Sequence, residues 1–165
     1  MTDESSTLLL YRLIKERFAE TPLSTEGARI HSGRWHPAGQ GILYTSSSPE
    51  LALLEQLVHL PQLPYEDLPR LVLLTLEVPC DRRILTPDEL PEGWRDEARF
   101  GDNRRRMAPW LAAPDVLAVG VPSAVVAESL NYLLHPAHPL FRQVSVVSAK
   151  PFTIDPRLWR TPPMT

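Results

Sequence analysis

"GILYTSSSPELALLEQLVHL", residues 41–60, is the stretch on which the reading of the fold turns. Its opening "GILYTS", rich in β-branched and aromatic residues, predicts a strand. Ser48 then offers a helix cap with Pro49 at the first helical position, where a missing N–H costs nothing. Ser47 with Glu50 offers a capping box at nearly the same place, and Pro61 closes the helix. In 100° steps Leu51, Leu54 and Val58 share one stripe, which Leu53, Leu57 and Leu60 widen. Glu55, Gln56 and His59 form the remaining polar wedge. A helix apolar over so much of its girth is predicted to be largely buried, its wedge facing a strip of solvent or a cleft. From this helix alone, Glu55 reads as a solvent-facing rim residue.

Outward from that pair, "TLLLYRLI" (7–14) predicts a first strand. A loop carrying Gly27, Gly33, Pro37, Gly39 and Gly41 follows, with Arg34 and Trp35 inside it. "RLVLLTLEV" (70–78) has the continuous apolar character of a buried central strand. One helix is expected near "RDEARFGDNRRRMAPWLA" (95–112). "DVLAVGVPSAVVAES" (115–129) reads as one or two strands broken at Pro122. "FRQVSVVS" and "PFTI" read as closing strands separated by a turn at Lys150-Pro151. Many strands and few helices predict an α+β fold, a mixed sheet with helices packed on it. The regular strand–helix alternation of a parallel doubly wound sheet is absent. With no repeat or linker, one domain spanning 1–165, with its core at about 7–159, is expected.

Composition narrows the function classes. The 165 residues are 43% hydrophobic and 22% charged, as in soluble globular proteins. Eighteen prolines, about twice the usual roughly 5%, are spread along the chain and punctuate many short elements. A net charge of −3 argues against direct nucleic-acid binding, which leaves a basic footprint. "RRR" at 104–106 is the one basic cluster and reads as a solvated helix face. The single Cys80 excludes an internal disulfide, fits a reducing compartment and reads as a small packed side chain. "MTDESSTLLLYRL" lacks the basic start of a signal peptide, and no apolar run reaches the roughly 18 residues of a membrane span. A cytoplasmic location without membrane association is expected.

Several side chains can carry chemistry. A glycine-flanked Arg34 can fork onto a phosphate or pair with a surface carboxylate. Tyr44 ends the strand ahead of the helix, where its ring is either half-buried or set over a cleft. Ser123 follows a proline at a strand kink, but no Gly-x-Ser-x-Gly elbow surrounds it, so serine-hydrolase chemistry is not indicated. His135 and His138 lack an H-E-x-x-H arrangement and Pro136 interrupts their register, which points to structural or surface roles and to no metal site.

Taken together, "YRL" (11–13), "SGRWHPAGQGILYTSSSPELALLEQLVHL" (32–60), "VPSAVVAESLNYLLHPAHP" (121–139) and "PFTIDPRLW" (151–159) resemble the RES-domain family. These are toxins of bacterial toxin–antitoxin pairs whose partner is an Xre-type helix-turn-helix antitoxin. The resemblance matches Arg34, Glu55 and Ser123 to the family's arginine, glutamate and serine, and Tyr44 to its strand tyrosine. Together these form the implied catalytic set. Arg12, Trp35 and Asn131 fall in matching blocks as substrate-binding candidates. His36 stands where relatives often carry asparagine, and "FGDNRRR" lacks the tryptophan that often follows its Gly-Asp. The resemblance implies a fold related to ADP-ribosyltransferase toxins. It also implies cleavage of the nicotinamide–ribose bond of NAD, a substrate with no further cofactor, and a possible hetero-oligomer with the antitoxin. Water, phosphate or a protein side chain would accept the ADP-ribosyl group. A non-catalytic antitoxin-binding module is the competing reading. The expected geometry places Arg34 and Glu55 at opposite ends of one nucleotide-sized hollow.

Overall fold

The computed structural model describes residues 6–160. Its strands are β1 (Thr7–Lys15), β2 (Leu43–Ser46), β3 (Leu71–Pro79), β4 (Arg82–Ile84), β5 (Ala118–Pro122), β6 (Leu130–Leu134) and β7 (Ser145–Phe152). Its α-helices are α1 (Glu26–Ile30), α2 (Pro49–His59) and α3 (Phe100–Ala112). All seven strands join one mixed sheet of order β4-β5-β6-β2-β1-β3-β7, in which only β4 and β5 run parallel. The α+β architecture read from the sequence is the one observed.

Register explains where the sheet opens. β1 pairs with β3 over its whole length, from Thr7↔Pro79 to Lys15↔Leu71. Its other edge meets β2 at a single position, Tyr11↔Ser46. The sheet is therefore two leaves, β4-β5-β6-β2 and β1-β3-β7, joined at one residue pair. Side chains alternate across a strand, so one row of each strand faces α2 and α3 and the next row faces away.

The far row builds the largest core, with Leu10 and Ile14 of β1, Leu74 and Leu76 of β3, and Leu117, Ala118 and Leu134 from the other leaf. On the helix side there are two separate cores. Under α3, Met107 and Trp110 pack on Val119, Val121 and Leu133 together with Trp35. Under α2, Ala52 and Leu60 pack on Leu13, Leu71 and Ile154. Buried apolar area holds each helix to the sheet, and the two helices sit over different leaves.

The structure selects the first of the two caps of α2: the Leu51 amide donates to Ser48 Oγ at 3.1 Å, and Pro49 occupies the first turn. The stripe of α2 is divided differently from the expectation. Leu51 is buried, whereas Leu54 is 36% and Val58 60% exposed, because α2 covers only the edge of its leaf. Sequence reading also missed β4 and β6. Residues after Pro122 turn back instead of continuing as a strand, and the second strand is Leu130–Leu134. The two closing strands are one, β7, which runs through Lys150 and Pro151 without a turn. Its position at the sheet edge explains why a proline is accepted there, since no partner needs its N–H.

Candidate active site

A cavity of about 500 Å³ opens on the helix side, along the seam between the leaves. Arg12 of β1, Ser32 to Trp35 of the glycine loop, Tyr44 and Ser46 of β2, Glu55 and His59 of α2, Phe100 of α3 and Asn131 of β6 contribute to its wall. Its position follows from the register. Where β1 and β2 part on either side of their single bridge, the space is closed by side chains. Arg34 and Glu55 line this same hollow, and among the described residues Glu55 is the one carboxylate in its lining.

Glu55 is held, not loosely exposed. Its Oε1 accepts from Ser123 Oγ and from Asn131 Nδ2, each at 2.6 Å. The described residues make no hydrogen bond to Oε2. Ser123 lies just past β5 and is 0% exposed. Its oxygen accepts from the amides of Val125 and Val126 at 3.0 and 3.2 Å while its proton goes to Glu55. Every bonding capacity of that hydroxyl is used, so Ser123 orients Glu55 and does not itself reach the cavity. Asn131 likewise spends its amide on Glu55.

Arg12 stands in the β1 row that alternation assigns to the far face, yet its guanidinium crosses the seam. Nη1 donates to the Tyr44 carbonyl at 2.5 Å, an acceptor left over because β1 and β2 are unpaired there. Among the described residues its enclosed Nε finds no hydrogen-bond partner and no carboxylate forms an ion pair with it. Desolvation lowers its pKa to about 10, still charged at neutral pH. A buried cation without a counter-ion is costly, and an anion in the cavity would remove that cost.

Arg34 is braced. Nη1 donates to the carbonyls of Trp94 and Arg95 at 3.0 and 2.7 Å, and the guanidinium lies 4.4 Å from the Phe100 ring centroid. Burial lowers its pKa, with the Glu55 carboxylate pulling in the opposite direction. One side of the fork is thus committed to backbone, leaving the other for a ligand. Arg104, expected on a solvated face, donates from Nε to the Gly33 carbonyl at 2.9 Å and ties α3 to the glycine loop. Its neighbours are more superficial: Arg105 pairs with Asp102, and Arg106 reaches the Glu89 carbonyl.

Tyr44 forms a wall whose hydroxyl is spoken for. It meets His36 Nδ1 at 2.5 Å, while His36 Nε2 lies 2.8 Å from both the Ala28 and His31 carbonyls. Two carbonyls accept only, so Nε2 carries the proton and Nδ1 accepts from the phenol. Burial raises the Tyr44 pKa above its ordinary value, partly offset by the Trp35 amide. Gly33 is required beside them: a Cβ there would lie 2.8 Å from His36 Cε1 and 3.1 Å from Tyr44 Oη. Trp35, a substrate-binding candidate, contributes to the cavity wall, is 4% exposed and stacks on Trp94 at 5.9 Å. It supports the loop from the core side.

Sequence reasoning missed Ser46, His36 and Phe100 as parts of the site. The signal for His36 was its position two residues after Arg34. Ser46 and Phe100 carried none, because their importance depends on strand pairing and on the approach of α3. His135 and His138 are structural, as expected. His135 accepts from the Ala137 amide and bonds the Leu111 carbonyl, and His138 Nε2 lies 3.3 Å from Asp81. Among the described residues no group of three or more His, Cys, Asp or Glu is placed to hold a metal ion, and no helix is long and apolar enough to cross a membrane.

Known proteins resemble this chain in sequence and in fold. A Yersinia enterocolitica protein, "Toxin Res", is 31% identical over 92% of this chain and 99% of its own length. A Photorhabdus laumondii "Toxin Res" is 32% identical over 92% of this chain and 97% of its own. A Sphingobium "Prs ADP-ribosylating toxin" is 34% identical over 84% and 87%. A chain from the crystal structure of the M. tuberculosis MbcT–MbcA toxin–antitoxin complex superposes with a TM-score of 0.68 at 19% identity, covering 94% of this chain and 88% of that one, which shows a shared fold. The RES domain family model matches residues 9–155, and with relatives this similar over nearly its whole length the chain belongs to the RES domain family.

Proposed function

We propose that this chain is an NAD-consuming toxin that cleaves the nicotinamide–ribose bond and is held in check by an Xre-type helix-turn-helix antitoxin. The observation that carries this reading is the pairing of two groups in one cavity. Glu55 has Oε1 fixed by two donors and Oε2 without a hydrogen bond from the described residues. Arg12 is half-buried with an enclosed Nε and has no carboxylate partner among the described residues. The first suits a centre of developing positive charge and the second suits a phosphate.

Loss of nicotinamide builds oxocarbenium character on the ribose, and an adjacent carboxylate stabilises it, as at sugar centres generally. Glu55 supplies that charge or holds the ribose hydroxyls through Oε2. Arg12 and the free side of Arg34 bind the pyrophosphate, and the Tyr44 ring gives a flat wall for a base or the nicotinamide. Ser123 and Asn131 keep Glu55 in place, and the reaction needs no further cofactor in this reading.

A second outcome from the same cleft is transfer of ADP-ribose to a protein, favoured by the 34% identity to a protein named as an ADP-ribosylating toxin. The deciding experiment incubates purified protein, free of antitoxin, with NAD, with and without phosphate, and identifies products by mass. Free ADP-ribose means water is the acceptor and a phosphorylated ADP-ribose means phosphate. Label appearing on protein from a lysate means transfer. NAD left intact under all three conditions would leave a binding module and remove the enzyme reading.

A further inference from the structure

Ser46 is a small hydroxyl residue at the end of β2, 5% exposed, and nothing in its local sequence marks it out. Its backbone is the single bridge between the two leaves of the sheet, opposite Tyr11, and it is the register partner of Asn131 on β6. Its hydroxyl donates to Asn131 Oδ1 at 2.9 Å, and Asn131 Nδ2 donates to Glu55 Oε1 at 2.6 Å. The direction of this relay follows from chemistry. A carboxylate accepts only, so the amide nitrogen faces Glu55 and the amide oxygen must face Ser46.

We infer that Ser46 is a positioning residue for the reaction, acting on Glu55 through Asn131. The terminal torsions of asparagine and glutamate are broad and two-fold, so neither side chain has an intrinsic reason to hold one angle. Asn131 is fixed because both ends of its amide are bonded. Without the Ser46 hydroxyl, Oδ1 loses its partner in a half-buried site, and the amide can turn away to seek another donor. Glu55 Oε1 then keeps Ser123 alone and can swing about that one contact. Oε2 loses its aim into the cavity. The hydroxyl sits on the joint of the leaves, so the register that opens the cavity also sets the carboxylate within it.

This inference rests on the reading of Glu55 as the reactive carboxylate. The test is a double-mutant cycle on NAD turnover with Ser46→Ala, Asn131→Ala and both together, with Glu55→Gln alongside. Losing one hydrogen bond of this kind predicts that Ser46→Ala lowers kcat about five- to tenfold, with KM for NAD within about twofold of wild type. Because Ser46 acts through Asn131, the double variant should match Asn131→Ala alone. An unchanged kcat in Ser46→Ala overturns the proposal. So does a further several-fold loss when Ser46→Ala is added to Asn131→Ala, since the hydroxyl would then act by another route. A loss that disappears when kcat is referred to the folded fraction, measured by near-ultraviolet circular dichroism, also overturns it, because Ser46 would then serve stability only. Near-normal turnover in Glu55→Gln would instead remove the underlying reading, a separate result.

Discussion

Arg12 makes the most specific statement at the scale of a single residue. Its side chain is half-buried, its Nε is enclosed, Nη1 bonds one backbone carbonyl, and no carboxylate among the described residues pairs with it. A protein gains no stability from such a charge, so its value lies in the ligand. Arg12→Met is therefore expected to melt at or above the wild-type temperature while losing the stabilisation that ADP confers. For wild type at a ligand concentration about a hundredfold above Kd, linkage gives about 2.7 kcal/mol, or roughly 5–10 °C at this chain length. Thermal melts with and without ADP check both halves. A variant that melts well below wild type, or that keeps the ADP shift, would contradict this account of Arg12. Gly33 is a second such position, since a side chain there meets His36 and the Tyr44 hydroxyl. Overpacking of this kind costs about 1–3 kcal/mol. Gly33→Ala should lower both the melting temperature and NAD turnover, and a variant equal to wild type in both would show that the loop can give way.

α2 shows how much of an element is legible in sequence. Its boundaries, its Ser48 cap and its polar wedge follow from local rules, because capping and helical period depend on neighbours in the chain. Ser48→Ala should cost about 1 kcal/mol, seen as a drop of roughly 2–4 °C in Tm, with kcat per folded molecule little changed; an unaltered melt would show that Pro49 alone suffices. Which apolar residues are buried was not legible, and Leu54 and Val58 lie open because the leaf beneath α2 ends there. Glu55 illustrates the same limit. On the helix its wedge faces solvent or a cleft and Glu55 reads as a rim residue; the resemblance to the family favours the cleft. The structure supplies the physical reason, which is that Ser123 and Asn131 arrive from segments remote in sequence. β6 escaped notice because "LNYLL" is short and carries no turn signal of its own. β7 was divided because Lys150-Pro151 reads as a turn, although a sheet edge accepts proline.

The whole molecule is organised by the seam between two leaves. A sheet paired throughout would spend the Tyr44 carbonyl on a ladder hydrogen bond and close the seam along which the hollow opens. Parting β1 from β2 opens the cavity, frees a carbonyl for Arg12 and sets Asn131 against Glu55. The family resemblance pointed to Arg34, Tyr44, Glu55 and Ser123, but the seam was invisible, since nothing in "TLLLYRLI" or "LYTS" states that they meet at one position. The two helices lie on either side of the opening and bring Glu55 from one and Phe100 from the other. In cells, the proposed activity predicts that overproduction of this chain alone drains NAD and stops growth. Co-expression of a helix-turn-helix protein encoded beside it should restore both. Extracted NAD measured over time after induction checks this, and growth arrest with NAD unchanged would point to another target.

In the proposed reaction Glu55 acts on bound NAD through the charge at Oε2. Glu55→Gln addresses it most directly, because the amide oxygen can keep the bonds from Ser123 and Asn131 while the charge is removed. The measurement is the rate of nicotinamide release from NAD by the purified variant. The variant is expected to fold, to bind ADP still and to release nicotinamide at least about a hundredfold more slowly than wild type. Release at close to the wild-type rate would contradict it.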